Sequence, residues 1–284
     1  ALHRWGAVCA PDGSLCNPNS PVYLDVWKDY FHGLFACPVG NPPAWDMEVK
    51  GALASEEFWA DCGGGAPAVI SLNAPLQLQE ISSALNSRPS NSACGADGFT
   101  YEALRALSAS ALEGIFCHLW KEEVVPSSLG TGIIHPLFKG GDAHDLGNSR
   151  GLSLLSCVGK AFEAILNTRL RKFLQETNVL ISEQGGFRPR RECAEHVITL
   201  HETLRRRKGD GLRSYLCFID FVKAFDRVWR DGLFWKLRAV GVTGKMLRVL
   251  RKLYLNTKAS IRVEGRCSEE FTVEGGVRQG GVIS

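Results

Sequence analysis

No uncharged apolar run approaches 18 residues anywhere in this chain of 284, so no membrane-spanning helix is read from it. The N-terminus has no basic stretch leading into an apolar one, which argues against a signal peptide. None of the ten cysteines falls in a C-x-x-C pair. His196 and His201 are five positions apart, on different sides of a helix, so neither residue type is spaced for structural zinc. Cys157 and Cys217 lie inside apolar segments, and reduced thiols in a nuclear or cytosolic protein fit this usage better than a disulfide framework. Acidic residues are nearly missing from 227–262, where ten basic side chains face one acidic one.

What is present suits a folded domain. Hydrophobic residues make up 45% of the chain and charged ones 22%. The net charge of +3 hides an asymmetry, because residues 1–130 carry 6 basic and 14 acidic side chains while 131–284 carry 27 and 16. A sign imbalance this local points to a polyanion as partner. The chain begins with Ala and stops at "GGVIS", which reads as a stretch of something longer.

Residues 1–90 read as a poorly defined linker or extension, with helical patches near 22–35 and 51–60 and a loop at "CGGGAP" (62–67). Punctuation is firmer from 91 onward. Asp97-Gly98 marks a turn and Thr100 an N-cap, and a helical pattern runs through 111–123. "TGIIHPLF" (131–138) reads as a strand, 153–175 as a helix capped by Ser153, and 192–207 as another helix. The apolar residues 214–219 fit a strand covered on both faces. Helices follow at 230–240 and 243–255, then a hairpin turning at Gly265. Helices and strands mix without a βαβ rhythm, so the expected class is α+β.

Asp220 sits at the end of that apolar strand. A buried carboxylate needs its desolvation offset, by capping a helix, by a cation such as Lys223, or by a divalent metal. Spacing alone leaves the three open. Asp226, six residues on, reads as a cap or as a partner of Arg227 or Arg230.

The order of segments narrows the choice. "ACGADGFTYEALR", "IIHPLFKGGDAHDLGNSRGLSLLSCVGKAFEAILNTRL", "ISEQGGFRPRRECAEHVITL", "FIDFVKAFDRV" and "GGVRQGGVIS" follow one another as in a non-LTR (LINE-type) retrotransposon reverse transcriptase, which the chain resembles over roughly 92–284. The resemblance implies a right-hand polymerase, with fingers and partial palm at 91–284. It also implies an RNA template, a DNA primer, dNTP and two Mg²⁺ ions. Asp220 then matches the first catalytic aspartate, with the carbonyl of Phe221 as a further metal ligand. Phe225 matches the ring that excludes a 2′-hydroxyl, Lys139 and Arg150 match the cations on the triphosphate, and Gln279 lies near nucleotide and template. Arg188, Arg190 and Arg191 are candidates for template phosphates, as are Lys245, Arg248, Arg251 and Lys252 within the basic run.

Two departures stand out. The fingers motif usually reads Asn-Tyr-Arg-Pro-Ile, and here it is "NSRGL" (148–152). The Tyr-x-Asp-Asp element that supplies two further carboxylates is not within these 284 residues, so the stretch by itself is expected to be inactive. The alternative class is a non-catalytic nucleic-acid binder, a relic or domesticated copy that keeps the basic run without the chemistry.

Overall fold

The computed structural model describes residues 5–36, 44–60, 67–255 and 257–284. Of the expected loop at 62–67, only Pro67 lies among them.

Tyr23, Trp27, Phe31 and Phe35 recur every fourth position, and that spacing gives helix α1 (Tyr23–Phe35) one aromatic stripe. Before it, strands β1 (Val8–Cys9) and β2 (Leu15–Cys16) form a small antiparallel pair. Four helices follow: α2 (Ala44–Leu53), α3 (Glu56–Trp59), α4 (Pro67–Asn73) and α5 (Leu78–Asn86). The amide of Phe58 bonds the Ser55 hydroxyl at the start of α3, and Gln77 with Glu80 closes a capping box on α5. Thr100 caps α6 (Tyr101–Arg105) as expected, and Ser108 caps α7 (Ala109–Lys121). α8 (Ser127–Gly130) leads into the sheet.

Strand β3 (Gly132–Phe138) pairs antiparallel with β4 (Ser149–Leu155), from Gly132 opposite Leu155 to Phe138 opposite Ser149. Helix α9 (Cys157–Glu176) begins later than expected, because β4 runs through Ser153 and the cap is Ser156, whose Oγ accepts the Gly159 amide. Beyond α9 come α10 (Cys193–Gly209), α11 (Arg230–Ala239) and α12 (Gly244–Tyr254). Strand β5 (Lys258–Val263) then joins β3 in parallel, and the short β6 (Arg266–Cys267) and β7 (Phe271–Thr272) pair with it antiparallel. The hairpin turns at Glu264 and Gly265, both at positive φ.

Two cores result. One packs Trp5, Tyr23, Trp27, Phe31 and Phe35 onto Ile134, Ala259 and Ile261 of the sheet. The other joins α5, α7, α9 and α12 around Phe116, Trp120, Phe162 and Leu250. The described residues of the first ninety contribute to both cores, Trp5 to Phe35 through the first and Val49, Trp59, Leu72 and Ile81 through the second.

A second expectation fails outright. Residues 214–219 form no strand, and Tyr215, Phe218 and Ile219 are 87%, 82% and 81% exposed. A strand needs a neighbouring backbone to pair with, and no described strand lies beside this one. Its apolar side chains have nothing to bury against.

Candidate nucleotide site

The β3–β4 hairpin positions two of the expected cations. The Lys139 amide, just past β3, donates to the Asn148 carbonyl at 2.9 Å, and Arg150 stands on β4 opposite Leu137. Ladder pairing thus fixes the backbone position of Arg150, whose side chain is exposed. The motif itself has a local reason. Ser149 is fully buried and its Oγ donates to the Leu146 carbonyl at 2.6 Å. At Gly151 a Cβ would stand 2.7 Å from the Phe31 ring, so α1 fills the space a side chain would need.

Lys223 and Asp226 complete the corner. The Lys223 Nζ donates to the Ser149 carbonyl at 2.8 Å and to the Tyr30 hydroxyl at 3.1 Å. Asp226 is buried, and Lys223, Lys139 and Arg150 act on its carboxylate. Burial pushes the Asp226 pKa above the ordinary aspartate value, and the three cations only partly oppose it. Loss of water around the Lys139 ammonium, with Lys223 and Arg150 beside it, holds that lysine below its usual value. Folding disfavours the charged form of both groups. Asp226 does not pair with Arg230: burial lowers the Arg230 pKa to about 10, and its guanidinium instead donates to the carbonyls of Tyr254, Val273, Gly275 and Gly276.

Phe225 meets Phe187 edge to face at 6.3 Å, and its carbonyl accepts the Val277 amide at 2.8 Å. Gln279 is joined to the hairpin through its carbonyl, which accepts the Ser153 amide at 2.8 Å. Gly280 has φ of +117°, and a Cβ there would sit 2.6 Å from the Ser153 carbonyl oxygen. Its smallness serves the protein's own backbone. The loop is anchored by a pair the sequence reading missed: Arg278 and Glu163, both buried, meet at 2.6 Å, and Glu163 also accepts the Val282 amide at 2.8 Å. With 115 positions between the two, no local pattern could announce it.

Asp220 and Phe221 are exposed, on the stretch that follows α10. Among the described residues no three of His, Cys, Asp and Glu come together as metal ligands. A hard divalent ion needs several oxygen ligands, so these residues do not by themselves fit the expected Mg²⁺.

The basic run also changes meaning. Arg248 grips the Glu123 carboxylate through two nitrogens at 2.6 and 2.9 Å, and Lys252 donates to the Glu123 carbonyl at 2.9 Å. Arg251 stacks over Trp59 at 4.2 Å, and Lys245 lies over Trp120 while donating to the Lys121 carbonyl. These four expected phosphate contacts are engaged within the fold. Arg188 donates to the Ile181 carbonyl at 2.8 Å, and Arg191 pairs with Glu195; both organise the turn before α10. Arg190 is exposed, at positive φ.

The hairpin thus carries Lys139 and Arg150 on a mixed sheet, beside a loop tied to it through Ser153. Comparison makes this specific. The family model for reverse transcriptase (RNA-dependent DNA polymerase) matches residues 139–284, a little over half of the chain, and the chain belongs to that family. It is similar to a probable RNA-directed DNA polymerase from transposon BS of Drosophila melanogaster, 29% identical over 213 residues that cover 74% of this chain and 23% of that protein. It is 26% identical over 295 residues to an RNA-directed DNA polymerase from mobile element jockey of Drosophila funebris, covering 99% of this chain and 30% of the relative. An uncharacterized 149 kDa protein of transposon TX1 from Xenopus laevis is 27% identical over 239 residues, covering 81% and 18%. The chain thus spans about a quarter of the length of these relatives. No helix among the described residues is long and apolar enough to cross a membrane.

Proposed function

We propose that this chain supplies the nucleotide-holding fingers and the first part of the palm of a retroelement RNA-directed DNA polymerase, acting on dNTP with an RNA template and a DNA primer. The observation that carries the reading is the convergence of Lys139 and Arg150 on the corner where Asp226 is buried, inside the segment matched by the family. Arg150 offers a planar fork to phosphate oxygens and Lys139 a point charge. Phe225, braced by Phe187 and by Val277, is the ring that would crowd a ribose 2′-hydroxyl. Asp220 belongs to chemistry that this stretch does not assemble alone.

The non-catalytic binder is the weaker reading, because four cations of the basic run it relies on, Lys245, Arg248, Arg251 and Lys252, are engaged by Glu123, Trp59, Trp120 and backbone carbonyls. The test is primer extension by the longer parent protein. Arg150→Ala is expected to raise the KM for dNTP at least tenfold, and Asp220→Asn to abolish extension while dNTP binding persists. Unchanged extension in both variants would overturn the polymerase reading.

A further inference from the structure

We propose that Lys223 is a third phosphate-binding cation of the nucleotide site, and that Tyr30, from the N-terminal helix, is its positioning residue. This rests on the reading above and adds to it a residue and an element that reading does not use. Lys223 is at positive φ (54°), a conformation that a lysine adopts at a cost. From there its Nζ reaches the Ser149 carbonyl at 2.8 Å, one residue before Arg150, and the Tyr30 hydroxyl at 3.1 Å. The Tyr30 ring lies 5.7 Å from the same ammonium, a cation–π distance. Two of the three N–H donors are therefore committed, and one remains for a ligand.

Lys223 is also held in the company of like charges. Lys139 and Arg150 share the corner, with Asp226 as the one buried carboxylate among them. Asp145 and Arg227 also act on Tyr30 and offset one another, so the cations outnumber the carboxylates at this corner and repel one another. A polyphosphate tail relieves that repulsion and supplies oxygen acceptors for all three. Asp226 is the counter-charge that steadies the cations between ligands. The hydroxyl of Tyr30, buried enough for its pKa to be raised, stays a neutral donor and acceptor beside them. The helix that carries it is stacked by Phe31 against Gly151, so Tyr30 keeps its place relative to the hairpin.

The experiment is titration of inorganic tripolyphosphate into the 284-residue chain with chelator present, alongside thermal melting of each variant. Lys223→Met is expected to weaken binding about tenfold, one charge-assisted contact in magnitude. Lys223→Arg should recover most of that loss. Tyr30→Phe, which keeps the ring and removes only the hydroxyl, should weaken binding about threefold without lowering the melting temperature. Lys172→Met, at an exposed ion pair with Glu176 on α9, should change nothing. If Lys223→Met binds like the parent chain while Lys139→Met and Arg150→Ala are weakened, the inference is wrong and the nucleotide site stands without it. If none of the three matters, the nucleotide reading itself fails. An equal loss in Lys172→Met reduces the effect to net charge and also overturns the inference.

Discussion

α12 and α10 make an instructive pair. Both are basic helices with apolar residues at helical spacing. In α12 Met246, Leu247, Val249, Leu250, Leu253 and Tyr254 are buried, and the cations opposite are gathered in by Glu123, Trp59 and Trp120. In α10 no residue is buried, and Val197 and Ile198 are 60% and 67% exposed. Amphipathic pattern describes what a helix offers; burial depends on whether something receives it. The same holds for the stretch after α10, where Ser214 to Ile219 stand open although they read as a covered strand. The cations of α12 named here are engaged within the fold, whereas loss of water disfavours the charge on Lys139. Position decides which.

The contrast can be broken at its most buried point first. Glu163→Ala leaves Arg278 uncompensated in a dry interior, and a loss of about 3–5 kcal/mol is expected in urea unfolding. A loss under about 1 kcal/mol would mean that the loop at 277–284 is not anchored as described. Next, Arg248→Ala removes a bidentate grip on a half-shielded carboxylate and should cost about 2 kcal/mol, with no change in the salt dependence of RNA binding. If RNA binding falls instead and stability holds, α12 is a nucleic-acid face after all. The smallest effect belongs to the open region: Ile198→Asp or Phe218→Ser in this chain should move stability by less than about 0.5 kcal/mol, and amides of 212–222 should exchange with solvent far faster than those of α9. Slow exchange there would show that the stretch is packed in solution.

What could be read from residues alone follows the range of the interaction involved. Thr100, the β3 run and the Gly265 hairpin were legible because a cap, an apolar run and a turn are decided by near neighbours. The α9 boundary slipped by a few residues because Ser153 and Ser156 both look like caps, and only pairing with β3 reveals that the first is still in a strand. The helical patch expected near 22–35 is α1, a local pattern carried by Tyr23, Trp27, Phe31 and Phe35, whereas its packing onto Ile134, Ala259 and Ile261 depends on residues far along the chain. For the site, Lys139 and Arg150 came through resemblance. Tyr30, Lys223 and Glu163 did not, since each acts on a residue dozens of positions away. Residues 214–219 form no strand because apolar composition leads to burial only where a surface receives it.

The contact between Phe31 and Gly151 has a practical corollary. A hairpin borrowed from another polymerase, with proline or any bulkier residue in the glycine's place, would be met by a ring already sitting there. Exchange of this hairpin therefore demands that the aromatic helix travel with it, which makes the two segments one heritable unit although Phe31 and Gly151 are far apart along the chain.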